Sequence, residues 1–159
     1  MASTAAQEIL VKGARALAHG DPPEFGLDGL LSVVVDQLAI ESAVIVAPEP
    51  SSGRLVIVSS NGLGEPASAG LIEALRDPDH PIARTLRDPV PTFDVLPTRP
   101  GGPALRSHLP LVFTRDGSDV VLGVLALAHH HPTAVDARQL LVATADLAAV
   151  ALETGRPTG

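Results

Sequence analysis

Three consecutive histidines, His129-His130-His131, form the densest cluster of chemically versatile side chains in the chain. On extended backbone, alternate side chains share a face, so His129 and His131 would point the same way, as two imidazoles gripping a transition metal must. Such a site wants a third or fourth ligand, and the only candidate nearby is Asp136. A solvated strand end halted by Pro132 is therefore the favoured reading, and no metal ligand is assigned. His108 stands in an apolar segment that reads as a strand, and His80 precedes a short helical stretch. A neutral imidazole can both donate and accept, so either could touch a ligand or simply satisfy a backbone partner.

The other constellations carry less. Asn61-Gly62-Leu63-Gly64 lacks the third glycine of a dinucleotide fingerprint and reads as a turn. Asp77, Asp79 and Asp88 accompany prolines, where turn and cap chemistry accounts for them, and no two carboxylates hold a spacing suited to acid–base work. Gly-x-Ser-x-Gly is absent. The chain has no cysteine, which removes disulfides, thiolate catalysis and Fe–S ligation together. The expectation is no enzyme, no cofactor and no metal.

Composition narrows the partners. At 159 residues one domain is expected, and a fold of that size buries roughly 70% of the surface its unfolded chain exposes. A formal charge of -7 repels phosphate backbones and anionic leaflets, and no segment gathers its arginines into a stripe. Neither nucleic acid nor a membrane is an expected partner. The single lysine, Lys12, and the abundant Arg and Ala fit a GC-rich bacterial genome and are discounted as functional signals. Without a basic leader or an apolar run near the roughly 20 residues that span a bilayer, a cytoplasmic location is expected.

The elements that must position these residues follow from periodicity. Ala6, Ile9, Leu10, Gly13 and Leu17 predict a helix over 4–19, and Leu27, Leu30, Leu31, Val34 and Leu38 a second over about 26–39. Val- and Ile-rich runs at 42–47 and 54–60 predict a hairpin, followed by a helix over about 67–76 with Leu71, Ile72 and Leu75 on its apolar side. A helical turn or two spans 80–86, with Asp79 as its N-cap. A third strand over 90–95 contains Pro91 and belongs at a sheet edge. After a Pro- and Gly-rich loop over 96–104, strands at 108–114 and 120–129 form a second hairpin, and a helix runs from Thr133 to about Glu153. That helix is apolar over most of its circumference, which demands burial on more than one side. The N-terminal helix of the same or a second subunit is the simplest supplier of the extra surface.

This order of elements resembles the GAF family of small-molecule sensor domains over about residues 25–154. The resemblance rests on Ser42 to Val46, on His80-Pro81-Ile82-Ala83 followed by Pro89-Val90-Pro91-Thr92-Phe93-Asp94, and on Arg106-Ser107-His108-Leu109-Pro110-Leu111. Gly123-Val124-Leu125-Ala126-Leu127 leading to Leu147-Ala148-Ala149-Val150-Ala151-Leu152-Glu153 completes it. It implies an α+β fold with a central antiparallel sheet of about five to six strands. Terminal helices would pack on one face, and short helices and loops would cover a pocket on the other. Residues 1–24 would be an N-terminal helix and linker and 155–159 a tail. Departures limit the activities implied. The cysteines of bilin-binding relatives and of the GAF-type free methionine sulfoxide reductases are missing. So are a haem-ligating His before Arg106 and the Asn-Lys, Phe, Asp-Glu signature of cyclic-nucleotide relatives. The usual aromatic before the last helix is Ala134.

Around the implied pocket the expected ligand-contacting residues are Leu75, Phe93, Leu96, Leu105 and His108. Ile9, Gly13, Leu17, Val142, Ala145 and Ala149 are the expected interface of a homodimer. The function expected is a non-catalytic signal-transduction sensor that binds an unidentified small molecule, with a protein partner for output. The alternative is a ligand-free interaction and dimerisation module.

Overall fold

The computed structural model describes residues 23–96 and 105–154, with side chains from residue 26 onward. In chain order they form α1 (Pro23–Leu38), β1 (Ser42–Pro48), β2 (Leu55–Asn61), α2 (Glu65–Ala74), α3 (Pro81–Arg87), β3 (Thr92–Val95), β4 (Leu105–Arg115), β5 (Ser118–His129) and α4 (Val135–Thr154). The sequence-predicted helix at 4–19 lies outside the described residues. So do Ile9, Gly13 and Leu17 and the loop from 97 to 104. No helix among the described residues is long and apolar enough to cross a membrane.

The five strands form one sheet in the order β2-β1-β5-β4-β3, and every neighbouring pair runs antiparallel. Helices α1 and α4 lie against one another and against one face, α1 over β1 and β2 and α4 over β4 and β5. Ile45, Leu109, Leu111, Leu122, Leu125 and Leu127 meet Leu30, Leu31 and Leu141 there in the main core. The opposite face carries a smaller cluster of Val44, Val46, Leu75, Ile82 and Val124 under α2 and α3. The predicted α+β architecture is the one observed, with five strands.

Local departures have local causes. The β-branched run Val33 to Val35, a poor helix former, is held in α1 because Leu27, Leu30, Leu31 and Val34 are all buried against the sheet. The helix ends with Ala39 in the left-handed region (φ 53) while the Ile40 amide reaches back to the Val35 carbonyl at 3.2 Å, a Schellman closure. Strand β5 carries one extra residue opposite the Leu111/Val112 step, and this bulge turns both Leu122 and Leu125 towards the helical layer. Gly123, beside the bulge, is there for space: a Cβ would meet the Val46 carbonyl oxygen at 2.5 Å.

Pro91 precedes β3, and β3 is indeed an edge strand. Helix α2 starts two residues before its predicted position, and Ile72, expected on its buried side, is 51% exposed. Asp79 does not cap α3. His80 does, its Nδ1 accepting from the Ile82 amide at 3.1 Å.

The turn between β4 and β5 contracts to Asp116-Gly117, both at positive φ (51 and 78), the two-residue geometry that matches strand twist. Alanine at Gly117 would meet no atom within 4 Å, so its cost is backbone strain alone. Gly117→Ala is expected to lower stability by about 1 kcal/mol in urea titration without changing the slope of the transition.

Helix α4 explains its own wheel. Leu140, Leu141, Thr144, Ala145, Ala148 and Ala149 are buried, whereas Val142 and Val150 are 39% and 49% exposed. Ala145 and Ala149, expected at a subunit interface, instead belong to the core that joins α4 to α1 and the sheet. Their small side chains are already covered within the chain, and only Val142 of the three α4 positions faces outward.

Candidate functional site

Strand alternation divides the chemistry of β4 between two faces. Ser107, Leu109 and Leu111 point at the helical layer, so Arg106 and His108 point the other way. There they meet a cavity of about 380 Å³ between the sheet and the two short helices. Its floor is Val44, Ala126 and Ala128. Its walls are Leu71 and Ala74 from α2 and His80 and Ile82 from α3. Helix α2 has no buried residue, so it spans this space instead of filling it. A larger, more open depression of about 520 Å³ lies over the β3 edge, lined by Arg84, Thr85, Thr92 and Val95, and His108 borders both.

The electrostatics of the cavity are set by burial. His108 is only 5% exposed, and burial pushes its imidazole down to about 4, with His80, Arg106 and Arg84 adding to the fall. Burial also lowers His80, against the pull of Asp77. Both rings are therefore uncharged at neutral pH. The Nη1 of Arg106 is buried and has no hydrogen-bond partner among the described residues. Glu41, on the cavity rim, is engaged by His130 at 2.9 Å.

On the other face a polar cluster resembles a nucleophile and base. Ser107 Oγ lies 2.8 Å from His129 Nε2, and an Asp94 carboxylate oxygen lies 3.9 Å from the same nitrogen. The wiring is not that of a triad, in which the acid orients the opposite ring nitrogen. Here Nδ1 faces the His131 carbonyl at 2.8 Å, a group that can only accept, so Nδ1 is a donor and Nε2 is the ring nitrogen left to pair with the Ser107 hydroxyl. Ser107 is fully buried and lines neither cavity.

The cluster is a clamp. Ser107 Oγ accepts from the Asp94 amide at 3.2 Å, and Asp94 accepts from the amide and hydroxyl of Thr133 at 3.0 and 3.1 Å and from Arg138 at 2.8 Å. It ties β3, β4 and β5 to the start of α4. Burial alone would raise the Asp94 carboxyl, but the Thr133 amide, Arg138 and the Thr133 hydroxyl outweigh it and hold the group below the usual carboxylate range.

The sequence-predicted site residues separate on this geometry. His108 lines the cavity. Leu75 is buried in the cluster beneath α2 and does not line it. Phe93 faces the helical layer, with the Arg138 guanidinium 5.0 Å above its ring. Leu96 is 70% exposed beyond the end of β3. Leu105 pairs with His129 at the start of β4, in phase with Ser107 and so away from the cavity. Arg106, Leu71 and Ala126 were not anticipated. The signal for Arg106 is its spacing of two from His108 on a strand, which places both on one face. In the histidine triplet both His129 nitrogens are hydrogen-bonded and His130 and His131 are exposed. Among the described residues no group of three His, Cys, Asp or Glu side chains is placed to share a metal.

No family model matches the sequence, and no curated protein matches it. Solved structures do match. The chain is similar to the GAF domain of an Acinetobacter phosphoenolpyruvate-protein phosphotransferase, with a TM-score of 0.76 at 14% identity, covering 99% of this chain and 98% of that one. It is similar to the GAF domain of a putative sensor histidine kinase from Pseudomonas syringae, with a TM-score of 0.66 at 22% identity over 96% and 89% of the two chains. A free methionine-R-sulfoxide reductase from Neisseria meningitidis, solved with its substrate, also matches, with a TM-score of 0.70 at 13% identity over 95% and 90%. At these TM-scores, and over nearly the whole chain, the likeness is one of fold: the fold of this chain is that of a GAF domain.

Proposed function

We propose that the chain is a non-catalytic sensor module that binds a small molecule in the cavity beneath α2 and passes its occupancy to a partner protein through the α1–α4 layer. The observation that carries the reading is α2 itself, a helix without one buried residue held over a space of about 380 Å³. That volume lies within the range of small-molecule sites, and a helix with little apolar burial opens at low cost. The structural neighbours drawn from a sensor kinase and a phosphotransferase support a regulatory role. The neighbour that is a reductase does not extend to this chain, because thiol chemistry is closed to a protein without cysteine. A cytoplasmic setting fits the same reading.

Gly70 offers the test. It lies on α2 at the cavity, and a Cβ there would meet nothing within 4 Å, so a side chain can be added at this lining position without a clash at its first carbon. In differential scanning fluorimetry against a metabolite panel, at least one compound is expected to raise the wild-type Tm; a ligand at 100 times its Kd contributes about 2.7 kcal/mol. Gly70→Phe should fold and lose that response, while Gly70→Ala should gain up to about 1 kcal/mol from helix propensity and keep it. A silent panel, or a response that survives Gly70→Phe, counts against the site.

A second reading, pairing without a ligand, is favoured by the exposed Val142 and Val150 on α4. Light scattering at micromolar concentration decides it: a dimer disrupted by Val142→Glu supports pairing, and a strict monomer removes it.

A further inference from the structure

The cavity contains a charge that the described residues leave unmatched. Arg106 Nη1 is buried, no atom among the described residues accepts from it, and no carboxylate there makes an ion pair with the side chain. An unpaired buried cationic donor is costly, and the planar fork of a guanidinium matches a carboxylate or phosphate with two parallel hydrogen bonds. The one acidic side chain on the cavity lining, Glu41, is held by His130 at the rim. The neighbouring imidazoles of His108 and His80 can supply hydrogen bonds to a second polar atom. Val44, Leu71, Ile82 and Ala126 leave the remaining wall aliphatic, and no phenylalanine, tyrosine or tryptophan lines it among the described residues.

We infer that the ligand of this cavity is a small organic anion with an aliphatic body, its carboxylate or phosphate seated on Arg106. The inference rests on the sensor reading and adds the chemical class to it. The anion completes a pairing that the described residues do not supply, whereas an amide could take one of the two hydrogen bonds but neutralise nothing. An alkylammonium ion would meet like charge.

The probes are pentanoate, pentanamide, pentylammonium and inorganic phosphate, titrated by calorimetry and by Tm shift into wild type, Arg106→Gln and Gly70→Phe. Pentanoate is expected to bind wild type at least tenfold more tightly than pentanamide, and pentylammonium not at all. Arg106→Gln should weaken pentanoate at least tenfold while melting no lower than wild type without ligand, since the charge it removes has no partner among the described residues. Gly70→Phe should abolish binding. If Arg106→Gln fails to fold, side-chain 15N spectra of wild type replace it, and the Arg106 guanidinium signals should move with pentanoate and not with pentanamide. Binding of pentanamide or pentylammonium as tight as that of pentanoate overturns the inference and leaves the sensor reading intact. So does unchanged pentanoate affinity in Arg106→Gln. Silence of pentanoate and phosphate overturns the inference too, and the sensor reading falls only if the broader metabolite panel is silent as well.

Discussion

Lowering the pH from 7 to 4 is expected to remove about 3 kcal/mol of folding stability from the wild-type protein and far less from His108→Gln. The imidazole of His108 is pushed from its ordinary 6.5 to about 4 by burial first and by His80, Arg106 and Arg84 second. At about 1.36 kcal/mol per pH unit, that separation gives the figure. The unfolded chain takes up a proton below about 6.5 and the folded chain only below about 4, so acid favours unfolding across that window and the loss levels off beneath it. His80, also lowered, acts in the same direction. Asp94, held below the usual carboxylate range, adds a further loss at lower pH, as its clamp is protonated. Urea titrations at half-unit intervals measure the slope. A wild-type profile as flat between 7 and 4 as that of His108→Gln would show that the ring is solvated rather than enclosed.

Asp94→Ala is expected to cost about 3 kcal/mol, and comparison with Asp94→Gly and Asp94→Asn divides the loss. The residue sits in the left-handed region at φ 57, where Asp and Asn are tolerated and alanine is strained by about 1 kcal/mol. Its side chain, 16% exposed, accepts from Thr133 and pairs with Arg138, contacts worth about 2 kcal/mol together. Glycine relieves the backbone and loses the contacts, so about 2 kcal/mol should go. Asparagine keeps the conformation and one acceptor, so about 1 kcal/mol should go. Equal losses for alanine and glycine, both under about 0.5 kcal/mol, would mean the clamp holds nothing.

The fold was legible because its elements advertise themselves locally. Short runs rich in Val and Ile mark the strands, Pro and Gly stretches separate them, and Asp116-Gly117 announces its hairpin. The site was less so. His108 is visible as a titratable residue inside a long alternating strand. Phe93 was misplaced because β3 has four residues and its register skips between Thr92 and Val95, so alternation cannot be phased from sequence. Leu96 falls beyond the strand's end. Arg106 was set aside with the other arginines as a bias of composition, although its position relative to His108 carried the information. The fate of His129 depended on Ser107 and on Asp94, a residue 35 positions away, and no local pattern reports such a meeting.

The same irregular β3 also decides where the sheet can and cannot grow. An added strand needs a regular row of free amides and carbonyls, and a four-residue edge that skips register and turns left-handed at Asp94 offers none. Among the described residues that border resists fibre-like stacking, and the seven-residue β2, at the opposite border, is the edge better suited to start such a polymer.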